Sequence, residues 1–343
     1  MNLKQLSLKL GLSQTTVSRA LNGYPEVNEA TRLRVERAAA QYHYRPSTRA
    51  KGLATGKALA IGHVIPISTK HEMVNPIFGD FIAGAGETYT RHGYEMILSI
   101  AADGQEDMVY RGLKSRRAVD GVVVHGPRLD DSRISLLHEI GLPFVVHGRS
   151  TGATLPYAWL DVNNRHAFQR ATDFLIDLGH KRIGLINGVE SMDFAHRRRD
   201  GYTKALLAKG IPIDPTIMRS SEMTEVFGYQ STHDMLALAE PPTALLCASL
   251  ISALGARRAV EDAGLVMGRD VSIITHDDDL SYLKNGDDIP IFTATRSSVR
   301  AAGAKVAEML LAAIADPDLP HQHMLLEAEL MVGRSTGPAP RKD

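Results

Sequence analysis

From residue 58 onward, short apolar runs alternate with helix-length amphipathic stretches, a rhythm that few folds satisfy. Apolar runs at 59–65, 95–100, 121–125 and 144–147 are separated by helical stretches such as 78–92, 107–115 and 132–140. The rhythm resumes with runs at 182–186, 244–248 and 271–275, separated by 165–178, 198–209, 227–238 and 251–263. A helix between successive strands makes those strands parallel, so the pattern predicts two doubly wound α/β lobes of similar size. Ligands of such sheets lie beyond the carboxyl ends of the strands. That places His125, His147, Asn187 and Asp277 on loops bordering a cleft between the lobes.

A different pattern precedes residue 58. Leu3, Leu6 and Leu10 repeat at helical spacing behind Asn2 as cap, and Gly11 supplies the positive φ that lets the helix stop and turn. Ser13 caps a second helix that carries Val17, Ala20 and Leu21 inward and ends at Gly23. Its outward face holds Gln14, Thr15, Ser18 and Arg19, side chains that read base edges and grip phosphates. A third helix over 29–41, capped by Asn28, offers Leu33, Val35, Ala38 and Ala39 to a small core closed by Tyr42 and Tyr44. The order is that of a helix-turn-helix whose second helix enters the DNA major groove. Pro46 ends the unit, because Arg45 before it is pushed out of the helical region.

Charge supports a DNA-binding head. The chain as a whole is neutral, with 39 basic and 39 acidic side chains, yet residues 1–60 carry ten Lys or Arg against Glu26, Glu29 and Glu36. The head is therefore +7 and the remainder −7. A polyanion-binding head on an acidic body accounts for that segregation better than a mixed solvated surface does. One cysteine, Cys247, excludes an internal disulfide framework. No apolar run is long enough to cross a bilayer and the N-terminus lacks a signal-peptide core, so a cytoplasmic protein is expected.

Chemistry-bearing motifs are scarce. Gly52-xxx-Gly56-Lys57-Ala58 imitates a phosphate loop but has one spacer too few and no Ser or Thr after the lysine. There is no GxGxxG after the first strand, no GxSxG and no HExxH, so an enzyme is not expected, nor any cofactor. Asp277-Asp278-Asp279 suggests a metal loop only superficially, since consecutive carboxylates point in different directions. A solute-binding protein with the same two lobes is the alternative reading, and the basic head speaks against it.

The block Thr16-Val-Ser-Arg-Ala-Leu-Asn22, the Tyr44-Arg-Pro46 junction, Asn75-Pro76, Asp161-Val-Asn-Asn164, Leu178-Gly-His180, Arg198-Arg-Asp-Gly-Tyr202 and Ile274-Thr-His-Asp-Asp278 occur in an informative order. Together they resemble the LacI/GalR family of bacterial transcription regulators, nearly end to end. The resemblance implies a ligand-responsive regulator, a repressor of carbohydrate uptake or catabolism genes, that binds a palindromic operator as a homodimer. It divides the chain into a head (1–46), a hinge helix and linker (47–57), an effector and dimerisation domain (58–333) and a tail (334–343). Within that domain the first lobe takes 58–159 and 293–318, and the second 160–292 and 319–333.

Site roles follow from the same resemblance. Asn2, Ser13, Thr16, Ser18 and Asn22 match positions that bind phosphate or fix the helices, while Gln14, Thr15 and Arg19 match base readers. Ser47, Ala50, Lys51 and Leu53 fall on the hinge helix, with Leu53 where the family wedges a leucine into the minor groove. Arg198 and Asp277 match residues that hold the effector, implying a saccharide, while Arg197 and Arg199 beside Arg198 are expected to be solvated or paired on the helix surface. His125, His147, Trp159, Asp161 and Ser249 complete the expected effector set, although the histidines and Trp159 serve equally well as structural residues. Ser249-Leu250 and Thr275-His276 depart from the family's usual Asn-Asp and Gly-aromatic pairs, so the cleft chemistry is shifted from the commonest sugar pattern. Cys-Ala-Ser249 and His-Gly-Arg149 are similar to wording in regulators of α-glucoside uptake.

Overall fold

The structure is a computed structural model that describes residues 1–44, 56–66, 75–102 and 104–341. The chain forms two compact units, Met1–Leu59 and Ala60–Asp343.

In the first unit, α1 (Leu3–Leu10) begins at a capping box in which Asn2 and Gln5 satisfy each other's backbone N–H groups. Gly11 at φ 64° ends it. Ser13 Oγ accepts from Thr16 N to start α2 (Gln14–Leu21), and Asn28 does the same from Thr31 N for α3 (Glu29–Gln41). Leu6, Val17, Ala20 and Val35 are sealed at the centre, with Leu10, Ala38 and Ala39 around them. Leu33, expected inward, is 41% exposed. Val35, Ala38 and Ala39 share the buried stripe of α3, and two residues at about 100° each turn Leu33 to the far side.

The second unit holds the two lobes. Strands β1 (Ala60–Pro66), β2 (Glu95–Ala101), β3 (Gly121–His125), β4 (Phe144–His147), β5 (Ala158–Val162) and a late strand, β11 (His323–Leu326), make a parallel sheet in the order β11-β5-β4-β3-β1-β2. Helices α4 (Pro76–Arg91) and α11 (Val299–Ala315) cover one face, while α5 (Glu106–Ser115) and α6 (Ser132–Glu139) belong to the other crossovers. The second sheet runs β12-β10-β9-β8-β6-β7, built from β6 (Ile183–Asn187), β7 (Met218–Ser220), β8 (Ala244–Cys247), β9 (Ser272–His276), β10 (Thr293–Arg296) and β12 (Glu329–Met331). Only β12 is antiparallel in it. Its helices are α7 (Asn164–Asp177), α8 (Asp193–Ala208), α9 (Glu225–Leu236) and α10 (Leu250–Asp262).

Three expected lobe boundaries move. Thr293–Arg296 pairs with β9, in the register Thr293↔Ile274, and therefore belongs to the second lobe. His323–Leu326 pairs with β5 from His323↔Trp159 onward and belongs to the first. β5 stays in the first sheet to Val162, so the first crossing comes after it. The expected tail is part of the second lobe as far as it is described. Ser335 is fully buried, its carbonyl accepts from Ile273 N at 2.8 Å, and Ala339 N donates to Leu178 O at 2.9 Å.

Helix pairs in both lobes meet at glycines. A Cβ on Gly84 of α4 would lie 2.0 Å from Arg300 O of α11, and one on Gly201 of α8 2.1 Å from Arg165 O of α7. These approaches let the helices pack backbone to backbone over the sheets. Among the described residues no helix is long and apolar enough to cross a membrane.

Candidate functional sites: the α2 face and the interlobe cleft

The α2 helix presents its polar face because Val17 and Ala20 anchor the opposite one. Asn2, Ser13, Gln14, Thr15, Arg19 and Asn22 are exposed, and Thr16 and Ser18 are half-buried. Ser13 and Thr16 hydroxyls bond each other at 2.9 Å at the helix start, where backbone N–H groups favour an anion. Asn22 Nδ2 donates to Ser18 O and ties down the helix end. The Arg19 side chain has no hydrogen bond or ion pair among the described residues, so its fork is available for a base edge. Ser47, Ala50, Lys51 and Leu53, together with the Arg45-Pro46 junction, lie outside the described residues.

The structure corrects the placing of the histidines. His125 and His147 end neighbouring strands, and His63 lies within β1 beside them, on the face that Ile61, Val123 and Val145 turn toward α4 and α11, so they pack with that helix layer. His63 Nδ1 and His125 Nε2 are 2.9 Å apart, and His63 Nε2 meets Tyr89 Oη at 3.2 Å. Phe78 and Phe81 pack edge-on against His125, and Phe81 stacks on His147 at 4.2 Å. Burial lowers His63 to about 3 and His147 to about 4, and holds His125 well below its ordinary value. His63 and His125 are neutral core groups, and His147 is a half-buried neutral ring beside them. Ser249 is likewise structural: it caps α10, its Oγ accepting from Ser252 N. Asn187 is fully buried, with Nδ2 donating to Ala195 O.

Arg198 and Asp277 do meet. Arg198, 6% exposed, donates through Nε to Asn164 Oδ1 at 2.7 Å and through Nη1 to Ala248 O at 2.8 Å, and its guanidinium lies over the Phe168 and Phe194 rings. Its Nη2 is 3.7 Å from Asp277 Oδ2, within ion-pair range and beyond a hydrogen bond. Asp277 follows β9 directly, in the left-handed region at φ 55°, and Ser297 Oγ donates to its Oδ1. Burial outweighs the nearby cation and pushes the Asp277 carboxyl up to about 6, and the same burial pulls Arg198 down to about 10. His276 is sealed behind them, bonded to Thr295 Oγ1 at 2.6 Å and held neutral by burial. Asp278 is taken by Arg296 in a two-pronged pair, which removes it from any metal loop. Among the described residues no group of three potential ligands is placed to hold a metal.

Asp161 and Trp159 occupy an adjoining network. Asp161 Oδ2 accepts from Arg149 Nε at 2.8 Å and Arg197 Nη1 at 2.6 Å, so its lone pairs are largely committed. Trp159 lies under the Arg149 guanidinium at 4.8 Å and stacks on His323 at 5.0 Å. Arg197, expected to be solvated or paired on the helix surface, is 7% exposed and bound between Asp161 and Asp193. Asn164, Asp193 and Ser297 were not singled out from the sequence. The Asn163-Asn164 pair opening α7 was the one available signal, since a buried asparagine amide at a lobe crossing has to be hydrogen-bonded.

Comparison with known proteins agrees with this architecture. Residues 2–47 match the bacterial regulatory proteins of the lacI family, and residues 58–328 match the periplasmic binding proteins and sugar binding domain of the LacI family. The chain is 48% identical over 340 residues to the HTH-type transcriptional regulator AglR of Rhizobium meliloti, covering 99% of this chain and 95% of that one. It is 35% identical to the HTH-type transcriptional regulator RafR of Escherichia coli, covering 90% and 91%. Among solved structures, the transcriptional regulator CelR–cellobiose complex superposes with a TM-score of 0.72 at 27% identity, covering 98% of this chain and 99% of that one.

Proposed function

The chain belongs to the LacI family of bacterial regulatory proteins and is a helix-turn-helix transcriptional regulator, and from that premise we propose that it represses its target genes by binding a palindromic operator as a homodimer, switched by a neutral saccharide. On DNA, Gln14, Thr15 and Arg19 read bases, and Asn2, Ser13, Thr16, Ser18 and Asn22 hold phosphates and helix ends. Ser47, Ala50, Lys51 and Leu53 serve the hinge. One recognition helix covers half an operator, which requires a second copy. The edge strand β2 supports such a partner: Leu98 and Ile100 are 41% and 60% exposed there.

The observation that carries the effector reading is the 3.7 Å separation of Arg198 and Asp277. A buried donor and a buried acceptor face each other without a mutual hydrogen bond, and a hydroxyl pair satisfies both. Phe168 and Phe194 line the same corner with apolar surface. Around the cleft Arg149, Arg197 and Arg198 are matched by Asp161, Asp193 and Asp277, so little net charge is left to attract a phosphate or carboxylate. That balance favours a neutral sugar over a sugar phosphate or a uronic acid. Saccharide control fits genes of carbohydrate uptake or catabolism, as does likeness to a regulator solved with cellobiose.

A thermal-shift panel of neutral mono- and disaccharides, sugar phosphates, uronic acids and purines tests this. A bound effector at about 100 times its dissociation constant adds roughly 2.7 kcal/mol of stability. A neutral sugar should raise the melting temperature while its phosphate does not. A shift by a purine or a phosphorylated sugar alone refutes the reading.

A further inference from the structure

Arg197 stands beside the cleft arginine on α8 of the second lobe, yet two of its nitrogens bond the first lobe. Nη1 donates to Asp161 Oδ2 at 2.6 Å and Nη2 to the Arg149 carbonyl at 3.1 Å, while Nε is held by Asp193 on its own helix. Asp193, with no exposed surface, reaches back across the lobes. Its Oδ2 accepts from Thr151 N and its own N donates to Pro127 O at 3.0 Å. Leu129 N to Ser191 O and an antiparallel bridge between Arg128 and Met192 continue the seam.

The charges in this seam are balanced and dry. Arg149 and Arg197 face Asp161 and Asp193, and the last three of these are at most 7% exposed. Separating such a quartet strands a charge without its partner in a low-dielectric setting, which is costlier than breaking a surface pair. The seam also continues into the effector corner. Asn164 Nδ2 donates to Asp161 Oδ1 at 3.3 Å and to Val162 O, which turns Asn164 Oδ1 toward Arg198 Nε at 2.7 Å.

We propose that Arg197 is a positioning residue for the effector response: it clasps the two lobes along this seam and, through Asp161 and Asn164, fixes the direction in which Arg198 points. The proposal rests on the reading of the Arg198 corner as the effector site. A lysine cannot reproduce the clasp, because one ammonium does not present three donors in a plane.

The test uses the full-length protein without sugar, in hydrogen exchange and in crystal structures. Arg197→Lys should speed exchange at Leu129, Thr151 and Asp193 by about tenfold, as expected of a local opening, while β3 and β6 keep their protection. Arg197→Met should do so more strongly, and Arg199→Met, which removes the pair with Glu190 and the hydrogen bond with His196, should leave the seam unchanged. In crystals of Arg197→Lys the Arg198 guanidinium should leave Asn164. Unchanged seam exchange, a uniform rise across both lobes, or an unmoved Arg198 overturns the proposal. Neither readout needs a sugar, so failure of the saccharide reading is separately visible in the thermal-shift panel.

Discussion

Arg198 and Asp277 lie 3.7 Å apart in a buried corner, and each titrates toward its neutral form: the acid is raised to about 6 and the base lowered to about 10. Mutual attraction at that distance does not offset the loss of water. A sugar hydroxyl that accepts from Arg198 and donates to Asp277 prefers the carboxylate form. Sugar affinity should therefore rise as pH increases through about 6, by roughly tenfold between pH 5 and 7.5 if the bound carboxyl falls back to its ordinary value. Calorimetric titration at several pH values checks this. An affinity that is flat or falls with pH contradicts it.

The histidine layer gives stability the same direction of pH dependence. His63, His125 and His147 are lowered by burial, so the unfolded chain binds their protons more readily than the native one. Their contribution is complete above about pH 6.5 and is lost as pH falls toward 4. Asp277 acts oppositely, favouring the native state at low pH and losing that contribution through about pH 6. His147→Phe keeps a ring against Phe81 and removes one proton from the slope, about 1.4 kcal/mol per pH unit. Urea unfolding at pH 4.5 to 7.5 should show this shallower dependence, and an unaltered slope would refute the assignment.

Close helix packing makes a separate prediction. Gly201→Ala places a methyl 2.1 Å from a backbone oxygen of α7, which cannot rotate away. Overpacking of this kind costs about 1–3 kcal/mol. Thermal unfolding should show that loss, whereas Gly210→Ala has open space and pays only its backbone strain at φ 67°. Equal destabilisation by the two would argue against the contact.

At the head, Arg19→Met should remove a two-pronged donor without disturbing the core, since Arg19 is exposed. Discrimination between a duplex selected by the protein and a random one should fall by about 1–3 kcal/mol, with non-specific binding much less affected. Competition binding at fixed salt measures both. Parallel loss of the two would make Arg19 a phosphate contact.

How much of this was legible in the sequence depends on where the signal resided. Capped, periodic segments were readable: Asn2, Ser13 and Asn28 start helices as expected, and Gly121–His125 and Phe144–His147 are strands to the residue. β10 reads Thr-Ala-Thr-Arg, without an apolar run, and β11 is a half-exposed edge strand of four residues, so the lobe crossings were misplaced. Arg198 and Asp277 were identified by resemblance, and folding brings them together. His125 and His147 stand between an effector and a structural role in the sequence because a strand's carboxyl end has two sides, and strand phase alone does not say which faces a helix. Arg197 was misjudged because two carboxylates from distant segments, Asp161 and Asp193, are needed to bury it.

The central claim is that occupancy of the Arg198 corner alters the hold of the α2 helices on DNA. The direct measurement is the dissociation constant of the full-length protein for its selected palindromic duplex, with and without the neutral sugar that most raises its melting temperature, in wild type and Arg198→Met. Coupling energies of this kind are typically about 1–3 kcal/mol, so the sugar should change the wild-type constant by about tenfold or more and leave Arg198→Met nearly unmoved. The same sugar-induced change in both proteins, or none in the wild type, would contradict the account.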